Sequence, residues 1–289
     1  MKFGAVLPQT ELGKDPIALR DYAQGVEELG FDYILCYEHI LGADRLAYPE
    51  QSFLYDYKDT FHEPFTLYSW LAALTSKIEF ATGILILPQR DVRLVAKQAT
   101  QLAILSGGRF RLGVGGGWNR AEAESLNSDF STRGKRMDEQ LELLERLFRE
   151  PLVDFDGEFH QVKRCGINPL PDPIPEIWVG GYADPVLKRV ARFGHGWMPA
   201  TLPAGKEYEI LDKLHQYLRL NGKDPNTFGL DARMVLAKFD RKEWTKEYLR
   251  WRDLGATHFR VNTMGLGFTR PDEHLKILSF FQKMIEIDG

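Results

Sequence analysis

The chain has 289 residues, 44% of them hydrophobic, and a formal net charge of −4. That composition supports a sizeable core and argues against a general nucleic-acid binder, which would be basic. Its two cysteines, Cys36 and Cys165, exclude a disulfide framework and a four-thiolate zinc site.

No apolar run approaches the ~20 residues needed to span a bilayer. The chain enters a strand directly, without a basic leader and apolar run, so a soluble cytoplasmic protein is expected, without nucleic-acid or membrane partners.

Lys2 to Leu7 reads as a first strand stopped by Pro8. Asp15 followed by Pro16 is an N-cap with proline at the first helical position, and Leu19, Tyr22, Ala23, Val26 and Leu29 then share one face up to Gly30. Phe31 to Cys36 is a second strand. The segment from Tyr37 to His62 is long and irregular but rich in aromatic residues, which disfavours disorder. It is expected to be a lid or pocket wall, the alternative being an apolar patch that covers a partner subunit.

Glu63-Pro64 opens a helix to Thr75, and Ile78 to Leu87 is a continuous apolar third strand. Asp91 to Leu105 is helical, and Phe110 to Val114 is a fourth strand. Arg133 to Arg149 is an amphipathic helix with Met137, Leu141, Leu144 and Leu147 or Phe148 inward. Val153 to Val162, around Asp156-Gly157, has the pattern of a small hairpin, placed near 151–162. Strands follow at Ile177 to Val179, Gly194 to Met198, Met234 to Phe239 and His258 to Asn262. Helices lie between them: Asp184-Pro185 repeats the N-cap and proline pattern of Asp15-Pro16, others begin at Lys206 and Lys242, and one from Pro271 to Ile285 closes the chain. Strand and helix alternate eight times with no break in composition, so a single (β/α)8 TIM barrel over 1–289 fits best. A doubly wound open sheet is the alternative, but its glycine fingerprint is missing.

The densest signal is the fourth strand and its exit, where Gly115, Gly116 and Gly117 precede Trp118 and Asn119. Three glycines exceed what a tight turn needs and let backbone approach a bulky ligand. Asn119 then offers an N-cap, so the exit has the physics of an anion seat. Neither a Rossmann nor a Walker A spacing fits these glycines.

A barrel places chemistry at the C-terminal ends of its strands. His39 follows Glu38 there, and a carboxylate beside an imidazole can orient it for proton transfer near neutral pH. The structural alternative is a surface-loop histidine. Glu63 is either a pocket acid or a carboxylate complementing a helix start. Arg133 and Arg136 either reach a phosphate or are solvated helix charges. Trp118, Trp178 and Trp197 either wall a flat ring or belong to the core. The histidine spacing supports no metal motif, and a Gly-x-Ser-x-Gly elbow is absent.

These residues carry a resemblance. Glu27-Glu28-Leu29-Gly30-Phe31-Asp32, Glu38-His39, Glu63-Pro64-Phe65, Ala81-Thr82-Gly83-Ile84, Gly107 to Gly115, Arg133-Gly134, Ile177 to Gly181 and Gly196-Trp197 together resemble the bacterial luciferase-like oxidoreductases. The likeness is to the branch that uses the deazaflavin F420. It implies a TIM barrel that binds a flavin or deazaflavin at its C-terminal rim. Gly115, Gly116, Gly117 and Trp118 would line the cofactor, Gly180 and Gly181 would approach its phosphate, and a non-proline cis peptide would fall on Gly83-Ile84. His39, with Glu38, takes the catalytic position.

F420 is the expected cofactor and FMN the alternative. The reaction is expected to be hydride transfer with a small, partly apolar substrate. FMN-dependent monooxygenation and a non-catalytic binding barrel are the other readings, and a homodimer is expected. Relatives often carry aspartate where Glu38 stands, and some sugar-phosphate dehydrogenases carry glutamate where Trp118 stands, which disfavours glucose-6-phosphate chemistry.

Overall fold

A computed structural model describes residues 1–203 and 205–288, with side chains through residue 286 of the last helix. In chain order the elements are β1 (Lys2–Val6), α1 (Gln9–Leu12), α2 (Pro16–Glu28), β2 (Tyr33–Cys36), α3 (Pro64–Leu74), β3 (Glu79–Thr82), β4 (Leu85–Ile86), α4 (Val92–Leu105) and β5 (Phe110–Gly115). There follow α5 (Arg120–Ser125), α6 (Arg133–Arg149), β6 (Val153–Asp156), β7 (Gln161–Cys165), β8 (Glu176–Gly180), α7 (Asp184–Phe193) and β9 (Gly196–Met198). The chain ends with α8 (Glu207–Leu220), β10 (Gly229–Val235), α9 (Arg241–Asp253), β11 (His258–Asn262) and α10 (Pro271–Asp288).

One sheet runs β3-β2-β1-β11-β10-β9-β8-β5-β4. It closes on itself where β3 also pairs with β5, Phe80 against Phe110 and Ala81 against Arg111. Because β3 and β4 are halves of one barrel strand, the result is a parallel (β/α)8 barrel. β6 and β7 form the expected antiparallel hairpin outside it, Asp156 opposite Gln161.

Strand side chains alternate between the barrel interior and the surrounding helices. Ile34 and Cys36 of β2 pack outward with the helix layer, while Tyr33 and Leu35 point in. The helices supply the matching apolar faces. In α2 the Asp15 carboxylate accepts from the Ile17 N–H at 2.9 Å, Pro16 opens the helix, and Leu19, Tyr22, Ala23 and Val26 are buried. In α6 Met137, Leu141, Leu144, Leu147 and Phe148 are all buried. At α3 the Glu63 carboxylate accepts from the Thr66 N–H at 2.7 Å, so Glu63 caps a helix rather than facing a pocket.

Three expectations need correction. The third barrel strand is interrupted at Gly83-Ile84, where the peptide is cis, as the resemblance implied. Asp184 is the first residue of α7 and not its cap, which is Ala183; the Asp184 carboxylate instead meets Lys213, Lys188 and the Tyr217 hydroxyl. The seventh barrel strand is Gly229–Val235 rather than Met234 to Phe239, and Leu236–Lys238 is a 3-10 turn. Asp231 and Arg233 broke the apolar pattern that marks a strand. Asp231 is nevertheless fully buried, because it points into the barrel against Arg260 (2.7 Å) and Arg111 (3.3 Å).

Candidate functional site

The same alternation that turns Arg111 and Trp178 inward puts Gly113, Gly115 and Gly180 on the inner face nearer the C-terminal mouth. The mouth holds a cavity of about 500 Å³. Gly83, Ile84, Gly115, Gly116, Gly117, Trp118, Gly180 and Gly181 all line it. Three segments remote in sequence therefore converge on one wall.

Ile84 fills the space between two of these strands. A Cβ on Gly115 would lie 2.8 Å from the Ile84 Cγ1, and one on Gly180 would lie 2.7 Å from its Cγ2. Gly117 has φ +74° and faces the Ile86 Cγ2 at 2.7 Å from its would-be Cβ. Gly116 differs, because its Cβ would meet only the Arg133 Cγ at 4.0 Å. Its missing side chain opens onto the cavity rather than relieving a protein contact.

At one end the lining is polar: Gly181, Ala183 at the α7 N-terminus, Ser131, Arg133 and Arg189. Arg189 is held by the Asp138 carboxylate at 2.6 Å, so the helix-start N–H groups and Arg133 supply the positive end of an anion seat. Arg133 donates to the Phe130 carbonyl at 2.6 Å and stacks over the Phe130 ring, with no carboxylate partner among the described residues. Arg136 is turned instead onto Phe159. A phosphate-bearing flavin-type cofactor fits this lining: an open glycine wall for a ring system and a cationic helix terminus for a phosphate.

Trp118 is partly exposed on the cavity wall. Trp178 and Trp197 are core residues, the first under the Arg111 guanidinium and the second donating to the Gly181 carbonyl at 2.6 Å.

His39 packs against Trp118, one residue of this wall. Its ring meets Trp118 edge-on at 5.4 Å and Phe61 at 4.7 Å, with Tyr55 at 5.8 Å. The long loop after β2 is thus folded as a wall over the histidine, extended by Phe53 against Trp118. His39 Nδ1 is 2.8 Å from the Glu122 Oε2. The other Glu122 oxygen accepts from the N–H groups of Ile40 (2.6 Å) and Leu41 (3.2 Å). An ionised carboxylate only accepts, so Nδ1 carries the proton and Nε2 is the nitrogen left for chemistry.

Glu38 does not orient His39. Its carboxylate is buried, accepts from the Ile86 N–H at 2.6 Å and is clamped by Arg90, which also reaches Glu63 at 2.9 Å. Burial pushes the Glu38 carboxyl up and Arg90 pulls against it. Glu38 ties the segment after β2 to the end of β4.

Glu122 was not singled out from the sequence. It stands three residues after the N-cap Asn119, whose side chain accepts from the Glu122 N–H at 3.2 Å. A glutamate there normally folds back on the cap. This one reaches another loop, and only its position beside the glycine run pointed to a site. No helix among the described residues is long and apolar enough to cross a membrane.

The description luciferase-like monooxygenase covers the family that matches residues 1–276. An uncharacterized protein of Mycobacterium tuberculosis is 38% identical over 183 residues, which is 59% of this chain and 62% of that protein, so the match spans less than two thirds of the relative's length. The pyrimidine monooxygenase RutA of Acinetobacter baylyi is 28% identical over 275 residues, covering 90% of this chain and 69% of RutA. Among solved structures, an F420-dependent secondary alcohol dehydrogenase in complex with an F420-acetone adduct has a TM-score of 0.80 over 98% of both chains at 15% identity, a likeness of fold. By sequence and barrel, the chain belongs to the luciferase-like monooxygenase family.

Proposed function

We propose that the chain is an oxidoreductase that transfers hydride between F420 and a partly apolar organic substrate, with His39 as the acid/base group. The observation that carries this reading is the convergence of Gly83-Ile84, Gly115 to Trp118 and Gly180-Gly181 on one cavity, with His39 against Trp118. Ile84, the three glycines and Trp118 would hold the ring system, and Gly181, Ala183, Ser131 and Arg133 its phosphate. The deazaflavin supplies a ring carbon that gives or takes hydride; the protein orients it and keeps water out.

His39 meets the requirements of a proton carrier. Glu122 fixes its Nδ1, the aromatic residues around it limit water, and Nε2 has no protein partner among the described residues. Glu38 serves this site by holding the strand ends in place.

FMN-dependent monooxygenation is the second reading, favoured by the match to a pyrimidine monooxygenase along 90% of the chain. The two differ in their use of oxygen. Turnover with reduced F420 that is unaffected by removing oxygen, and that is lost in H39A, supports the proposal. Turnover that requires FMN and consumes oxygen overturns it in favour of the second reading.

A further inference from the structure

Four arginines and no carboxylate line the mouth cavity. Arg133 and Arg189 lie at the Gly181 end. Arg233 and Arg260 stand on β10 and β11, which face β4 and β5 across the barrel.

The charge at this second end is not balanced. Arg260 is buried, with Nη1 on Asp231 at 2.7 Å and Nη2 on the Pro199 carbonyl at 3.3 Å, and its Nε has no partner among the described residues. Arg111 draws on the same Asp231. One carboxylate thus serves two guanidinium groups, and a positive charge remains in a low-dielectric interior, where it attracts an anion strongly.

Arg233 donates to the Thr201 hydroxyl at 2.7 Å and has no carboxylate partner among the described residues. The space behind it contains Glu207 and Glu247, but both are engaged by Arg250, at 2.9 and 2.6 Å. Burial pushes the Tyr55 phenol up to about 12, and Arg233 is close enough to pull against that shift. Tyr55 in turn touches the His39 ring. The aromatic wall that meets His39 thus lies within electrostatic reach of Arg233, and Trp118 of that wall lines the same cavity as Arg233.

We propose that the substrate is an organic oxyanion, a carboxylate or a phosphate ester, whose charged group is held by Arg233 with Arg260 behind it while its reacting carbon lies toward His39. This rests on the cofactor reading above, which assigns the Arg133 and Gly181 end to the cofactor phosphate. A bidentate guanidinium contact suits either oxyanion. The aromatic wall of Tyr55, Phe61 and Trp118 suits an apolar body attached to it.

The test is calorimetric titration of the full chain, alone and saturated with F420 or FMN, using benzoate, phenyl phosphate and the neutral benzyl alcohol as probes. At least one anion is expected to bind tenfold or more tightly than benzyl alcohol, with and without cofactor. R233Q is expected to lose that tenfold advantage and R233K to recover part of it, while cofactor affinity stays within twofold. The better anion identifies carboxylate or phosphate as the group recognised. Equal binding of all three probes, an unchanged anion affinity in R233Q, or displacement of the anion by cofactor would overturn the proposal. Should no cofactor bind, the cofactor reading fails, and the R233Q comparison on the free protein still decides this one.

Discussion

His39 and Glu122 are 83 positions apart in sequence, yet Nδ1 of the imidazole lies 2.8 Å from the carboxylate of the glutamate. The pair joins the loop after β2 to the short helix that follows the glycine run. The proposed proton carrier and the proposed cofactor wall thus share one joint.

Removing the imidazole tests its role. H39A is expected to reduce turnover roughly 100- to 10,000-fold, the usual scale for a positioned acid/base group, with cofactor affinity within threefold of wild type. Steady-state kinetics beside a cofactor titration checks both halves.

In the proposed mechanism Glu122 acts through His39, so its variants should separate shape from charge. E122A leaves two backbone N–H groups and the imidazole without an acceptor and is expected to cost about 2–4 kcal/mol of stability. E122Q keeps the shape, should unfold nearer wild type, and is expected to lower kcat at least tenfold with cofactor affinity unchanged. Thermal unfolding and kinetics on the two variants provide the comparison.

The glycines of the run should not respond alike. G117A forces a side chain into φ +74° and against Ile86, and is expected to destabilise by about 1 kcal/mol or more. At Gly116 the added side chain enters open space, so G116V should keep its melting temperature within about 2 °C while weakening cofactor binding tenfold or more. Melting curves and cofactor titrations of the pair distinguish a structural glycine from one that makes room for a ligand.

Much of this was legible because its causes are local. Short β-branched runs, proline-opened helices and Asp-Gly turns announce themselves within a few residues, and the three glycines do so by exceeding what a turn requires. The seventh strand was misplaced because its signal is long-range. Asp231 is tolerated inside the barrel only because Arg111 and Arg260, on other strands, meet it there. Glu122 was missed for the same reason, since its partner arrives from a distant loop. Neighbourhood in sequence had paired His39 with Glu38, but the two side chains leave the strand end in different directions.

The buried charge cluster carries its own expectation. D231N leaves Arg111 and Arg260 without their carboxylate and should destabilise by about 3–5 kcal/mol, the cost of breaking a buried pair from one side. Chemical denaturation gives the value, and a loss below about 1 kcal/mol would contradict the buried pairing.

Two histidines, His274 buried and His258 half-buried, contribute to the acid limb of stability. Burial pushes His258 down to about 3 and His274 down to about 4. Both folded values lie below the ordinary imidazole range, so the unfolded chain binds more protons on acidification. Their contribution is whole above about pH 6.5 and is lost progressively as pH falls toward 4. Burial pushes the neighbouring Glu11 carboxyl up, which returns part of the loss as the carboxylate range is reached. Melting temperature is expected to fall from pH 7 to pH 5, and less steeply in H274Q.

The most direct measurement is a fluorescence titration of the purified wild-type chain and G116V with F420 and with FMN. Saturable one-to-one binding of F420 to the wild-type protein, weakened tenfold or more in a folded G116V, is the predicted result. Absence of binding by either cofactor, or equal binding by the two proteins, would contradict the assignment of the glycine-walled cavity as the cofactor site.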